Sequence, residues 1–295
     1  MKLLQQPTDD RTDAEAPLPP TPARRRRRIR ISVTDGISIF WLVVLVAAMF
    51  ILPHLLDLSA DAMSAPDRLA GISSHHLLGT DNYGRDTLAR CLAGARVSLF
   101  ISIVSVGAAA VVGVPLGMFA GYYRRADVVI SFVVDVVLAF PGLILALALA
   151  AFLGASVHNV IIAIAVPMFP VFVRLAKAQT MSVVRREYVE ASQVIGTPGL
   201  SILWRDVLPN IAEAMLAFTF VSIGQAILIE GGLSFLGMGV PSTQATWGSM
   251  INFGRNYMTS DPALVAIPSA FMLFTILALN LLSDRYLARN AGSRR

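Results

Sequence analysis

The residues able to do chemistry are few, and they are poorly placed for an enzyme. Four histidines include an adjacent pair, His75 and His76, which cannot share a helix face and so make surface residues rather than a metal pair. The single cysteine, Cys91, excludes an intrachain disulfide and implies no thiolate metal site. Glycine-rich phosphate loops, HExxH, GxSxG and usefully spaced carboxylate pairs are all missing, so no catalytic residue and no metal ligand is assigned. What remains are three polar groups inside apolar runs, Asp135, Gln225 and Glu230, and one long polar interruption, residues 190–210. In lipid such groups are costly, and they mark either a translocation path or a buried partner for a backbone group or another subunit's basic residue. The three form no proton-relay series.

The elements around them are apolar runs of membrane-crossing length. The chain is 55% hydrophobic and 15% charged, where soluble domains carry roughly 25% charged residues. Runs at 37–56, 97–122, 128–153, 160–176, 211–229 and 263–282 each approach or exceed the length that crosses a bilayer, about 20 residues. An A-x-A site at Ala60–Ala62 raises a cleaved signal peptide, but the first run is too long for a signal core, so it reads as an anchor. The expected organisation is a disordered basic leader (1–36), an anchor helix (37–56), an extracytoplasmic segment with an amphipathic helix (57–96), a five-span core (97–285) and a tail (286–295). Asp81 is the expected cap of that amphipathic helix, whose apolar face would be Leu88, Leu92, Ala95 and Leu99. Gly113, Gly117 and Gly121, four apart, predict close approach of a neighbouring helix. Phe140-Pro141-Gly142 predicts a break in the third span.

Charge orients the spans. Net charge is +5, which could suggest nucleic acid, yet the basic residues cluster beside apolar runs, where they act as topology determinants. With the N-terminus inside, Lys2, Arg11, six leader arginines, Arg124, Arg125, Arg174, Lys177, Arg185, Arg186, Arg205 and four C-terminal arginines face the cytoplasm, 19 of 24. Only Arg68, Arg85, Arg90, Arg96 and Arg255 face out. Both ends and residues 187–209 are then cytoplasmic. Within that loop, 187–195 reads as a helix ended by Gly196; Thr197-Pro198 reads as a cap and first turn; Pro209 reads as a stop before the fifth span.

Glu190-Ala191-Ser192, three residues, Gly196, then Leu208-Pro209 resembles the EAA motif of ABC importer permeases, with serine in the third place and Asp206 where histidine or an apolar residue is common. Leu78-Gly79-Thr80-Asp81 with Gly84-Arg85-Asp86, Gly113 to Gly117 with Gly121-Tyr122, Ala139 to Gly142, Leu233 to Gly237 and Trp247-Gly248 are similar to the dipeptide, oligopeptide and nickel group, over residues 75–285. The chain looks like that group's "C" permease. The leader has no such counterpart.

That resemblance implies an all-α, type I importer permease with six spans and cytoplasmic ends in a bacterial inner membrane. It implies a homologous second permease, one or two cytoplasmic ATPase subunits, an extracytoplasmic substrate-binding protein and a peptide-like solute. ATP and magnesium would sit on the ATPases, with no cofactor in this chain. Glu190, Ala191, Ser192 and Gly196 would form the ATPase dock, and Leu208 and Pro209 would lead into the fifth span. The alternatives are a self-contained secondary transporter or channel, weakened by the lack of a recognised inverted repeat or intramembrane ion-pair network, and a membrane scaffold.

Overall fold

The computed structural model describes residues 33–57, 59–241 and 243–291, with side chains from Thr34 to Asp284. Most of the basic leader and the final four residues lie outside the described residues. Helix α1 (Val33–Leu55) starts four residues before the expected anchor. It packs on the last helix, where Trp41 Nε1 donates to Thr275 Oγ1 at 3.2 Å.

Helix α2 (Thr87–Tyr122) runs unbroken for 36 residues. The helix expected to lead along the surface into the second span forms as the first turns of α2, but it is packed inside the protein, and its cap is not Asp81. Asp86 caps α2 instead, accepting from Ala89 N at 2.8 Å. Asp81 builds the preceding turn, accepting from the backbone of Tyr83 and Arg85. The reason is packing: Leu92 and Ala95 are buried with Trp247, Ile227 and Leu279 rather than laid on a membrane surface. Of the histidine pair, His75 is exposed as expected, while His76 departs from a plain surface role, its Nδ1 sitting 3.0 Å from Asp86 Oδ2.

The third run divides into α3 (Arg124–Leu138) and α4 (Gly142–Leu153), bent 83° apart. Pro141, extended at ψ 126°, precedes α4 and has no N–H to continue α3. Helix α5 (Val157–Val184) begins at the Ser156 cap and extends eight residues past the expected end at 176. Thr180 and Val183 are buried there, so packing against the protein sustains the helix beyond the apolar run.

The glycine stripe places α2 on α5. A Cβ at Gly113 would lie 2.7 Å from Phe172 Cβ, one at Gly117 2.6 Å from Ala176 Cβ, and one at Gly121 2.7 Å from Thr180 Cβ. Both series advance together by four, so α2 and α5 run parallel. Two consecutive long helices can be parallel only if the segment between them returns the chain, which makes α3 plus α4 a broken span.

Helix α6 (Glu187–Val194) is followed by α7 (Gly199–Ile202), a π turn (Leu203–Val207) and α8 (Leu208–Phe235). Two local expectations fail here. Pro198, not Thr197, is the residue before α7, and no side chain caps it. Pro209 does not stop the helix; it lies in the first turn of α8, and helical backbone continues from Gly199 to Phe235. A proline is tolerated in a helix where its missing N–H and ring are accommodated, and the wider π turn immediately before it supplies that. Asn210 Nδ2 donates to the Asp206 carbonyl at 2.7 Å in the same turn.

The second long loop carries α9 (Trp247–Gly254), held by a Thr246–Ser249 capping box. Helix α10 (Ala263–Ala291) runs antiparallel to α8: Gly231 faces Met272, Gly224 faces Ile276, and Ser283 Oγ donates to Ala217 O at 2.7 Å. By length and composition, 34–55, 87–122, 157–184, 199–235 and 263–284 can cross a membrane, and the bent pair, taken as one span, makes up to six.

Candidate functional site

The polar interruption folds into a hairpin with a fixed inner face and a bare tip. Helix α6 ends in a Schellman arrangement, with Gly196 N donating to Gln193 O and Thr197 N to Ser192 O, both at 3.0 Å. Gly196 adopts φ +81°, and a Cβ there would meet nothing within 4 Å, so glycine is needed for backbone conformation and not for space. The inner face is anchored by Val189, Ile202, Leu203, Val207 and Ile211, all buried with Met118, Ala176 and Val183 of α2 and α5. Gly199 sits against the rings of Tyr122 and Tyr123 at the end of α2, which leave no room for a Cβ. The sequence reading missed that aromatic seat.

The outer face is different. Glu190, Ala191, Gly196 and Pro209 are exposed, while Ser192 and Leu208 are half-buried. At the tip the two adjacent apolar residues Val194 and Ile195 are 87% and 81% exposed, with Leu200 and Trp204 about half exposed beside them. Ser192 Oγ donates back to Tyr188 O, so its hydroxyl is spent within the helix.

The three polar residues flagged in the spans do not assemble into one site. Asp135, on α3, accepts from Arg174 of α5 at 2.8 Å, and each of these side chains stays more than 60% exposed. Two turns earlier Asp127 pairs with Lys177, and Ser131 bridges them, donating to Asp127 and accepting from Lys177 Nζ. Gln225 is exposed on α8. Glu230 is fully buried, accepting from Ser98 Oγ of α2 at 2.8 Å and from Ser234 Oγ at 2.7 Å. Trp247 N approaches Ser98 Oγ at 3.4 Å, and Trp247 Nε1 donates to Cys91 O at 3.1 Å. Gly94 lies against the backbone of Thr246 and Trp247, and Gly248 against Gly231. Glu230 is thus the centre of a joint between α2, α8 and α9. The legible signal for its partner was the serine series Ser98, Ser102, Ser105 on one face of an apolar helix, all three fully buried.

A second joint holds the loop before α2. Arg90, 2% exposed, donates to Ala60 O and pairs with Asp81, which also takes Arg85. Among the described residues no group of three or more potential ligands could hold a metal ion.

Known proteins of the same kind are found by sequence and by shape. Residues 113–291 match the family model described as binding-protein-dependent transport system inner membrane component. The glutathione transport system permease protein GsiD of Pectobacterium atrosepticum is 37% identical over 246 residues, covering 83% of this chain and 82% of that one. The dipeptide transport system permease protein DppC of Alkalihalophilus pseudofirmus is 36% identical, covering 78% and 76%. The di/tripeptide permease DppC of Pseudomonas aeruginosa is 38% identical over 75% and 74%. In shape the chain resembles an inward-facing structure of the MetNI methionine ABC transporter at TM-score 0.55 and 14% identity, covering 68% of this chain and 95% of that one. With the apolar spans, the parallel α2–α5 pair and the hairpin in place, these agreements lead to one conclusion: the chain belongs to the binding-protein-dependent transport system inner membrane component family and is a multi-pass permease of the ABC importer class.

Proposed function

We propose that the chain forms half of the translocation pore of a binding-protein-dependent importer for a peptide-like solute, driven by ATPase subunits that dock on the α6–α7 hairpin. The single observation that carries the docking is the hairpin's two-sided character. Its inner face is welded to α2 and α5, and its tip presents Val194 and Ile195 almost bare beside Glu190. A docking lever must transmit force without bending, and a short helix with a buried inner face does so where a loop would not. The relatives named for glutathione, dipeptide and di/tripeptide transport support the solute class. ATP and magnesium belong to the ATPases in this reading. A second, homologous permease completes the pore, a binding protein delivers the solute from outside, and both chain ends lie in the cytoplasm.

The test is Ile195→Asp in the assembled importer. Ile195 touches solvent in this chain, so the variant keeps the chain's own thermal stability within about 0.5 kcal/mol. Co-purification of the ATPase and solute-stimulated ATP hydrolysis should both collapse. Wild-type retention of both would remove the hairpin from the docking role.

A further inference from the structure

The Asp135–Arg174 pair is expensive where it stands and is only half covered by this chain. Asp135 lies 11 residues after the first residue of α3, about 16 Å of helix rise, so its partner Arg174, assigned by charge alone to the cytoplasmic face, stands inside the α5 span instead. Arginine can extend its head toward an interface, but an aspartate on one methylene cannot. Yet Asp135 is 63% and Arg174 61% exposed. A charge pair left facing hydrocarbon is strongly disfavoured, so this side of α3 meets water or protein. The rest of α3 does suit lipid: Val128, Val129 and Phe132 are exposed and apolar. Polar residues instead recur at four-residue steps, Asp127, Ser131 and Asp135, facing Arg174 and Lys177 across a groove of about 410 Å³. The groove holds two acids and two bases, so it is neutral overall and strongly dipolar.

We propose that this groove is a water-facing station on the translocation path, where Arg174 takes the carboxylate and Asp135 the ammonium of a zwitterionic peptide-like solute. Guanidinium matches carboxylate with two parallel hydrogen bonds. The pair's resting contact keeps both charges satisfied when no solute is present. A solute with free ends exchanges one ion pair for two, so passage costs neither charge its partner. The inference rests on the peptide reading above and adds to it a recognition of free termini within the membrane half of the pathway.

The assay uses the complete importer in proteoliposomes, with dialanine as solute. The Asp135→Cys and Ser131→Cys variants should react with a membrane-impermeant cationic thiosulfonate, and dialanine should slow that reaction. Asp135→Asn and Arg174→Gln should each lower dialanine import at saturating loaded binding protein by about tenfold or more, the loss expected of one charge-assisted hydrogen bond. The double variant, whose neutral groups can still bond each other, controls for folding and should import as poorly as the singles. Thiols unreactive from both sides, cross-linking of both positions to the second permease, or variants that import at the wild-type rate would each overturn the proposal. A wild-type assembly that imports no peptide counts against the proposed solute instead; thiol accessibility then decides whether water reaches the pair.

Discussion

Glu230 and Asp135 are both carboxylates in apolar runs, and they do opposite things. Glu230 has no exposure and two hydroxyl donors from two helices, which makes it a structural joint; Asp135 has one partner and an open side. Removing Glu230's acceptors should leave the Ser98 and Ser234 hydroxyls buried and unmet, each costing about 1–3 kcal/mol. The Glu230→Leu importer should therefore unfold at clearly lower temperature in detergent, while Glu230→Gln, which keeps an acceptor and a donor, should stay within about 1 kcal/mol of wild type. Equal loss in both variants would mean that charge, not hydrogen bonding, holds the joint. Sequence alone could flag both carboxylates as unusual. It could not separate them, because the difference lies in Ser98, Arg174 and Trp247, which are 132, 39 and 17 positions away.

Among the elements, α2 and α5 form the frame on which the hairpin and the outer joint hang. Their approach depends on missing side chains: beyond the alanine and threonine contacts, the backbone carbonyls of Phe169 and Lys177 lie within 3 Å of where Cβ atoms would sit on Gly113 and Gly121. Lipid tails give helices no hydrophobic reason to associate, so closeness of packing carries the association. Gly117→Val should cost about 3 kcal/mol, the upper end of overpacking, because backbone and not a flexible side chain blocks the space. Gly107→Val on the same helix, where a Cβ meets nothing within 4 Å, should leave the melting temperature nearly unchanged. A comparable fall in both would remove the α2–α5 contact as the cause, since valine is the better helix former and propensity alone would not lower either. The four-residue glycine period showed in the sequence because it repeats locally. The partner helix and its parallel direction did not, since nothing in a repeat of small residues names what fills the space.

For the whole molecule, helix directions sort the loops onto two sides. The ends of α2 and α5, the start of α8 and the end of α10 share one side, joined through Gly121–Thr180, the Met118–Ile211 cluster and Ser283–Ala217. The segment before α2 and the α8–α9 loop share the other, joined through Ser98–Glu230 and Trp247–Cys91. That sorting puts Arg124, Arg125, Arg185, Arg186 and Arg205 together, as the charge bias requires of a cytoplasmic face. Thiol labelling of intact cells should follow it: Met63→Cys should react with an impermeant reagent from outside, and Thr197→Cys only after the membrane is opened. The reverse pattern would invert the topology.

Local, repeated and compositional features could be read directly from the residues: apolar runs, the charge asymmetry between loops, the Phe140-Pro141-Gly142 break, the turn at Gly196. Each depends on interactions within a few residues or on the chain's partition between lipid and water, and neither needs a partner element. The boundaries that went astray were those set from outside. Asp86 displaces Asp81 as the cap because α2 starts where Trp247 and α8 cover its first turns, α5 outruns its apolar stretch because α2 covers Thr180 and the cluster under the hairpin covers Val183, and Pro209 sits inside a helix because a π turn makes room for it. Burial of one helix by another, distant in sequence, decided those positions, and it also decided which carboxylate is a joint and which keeps an open side.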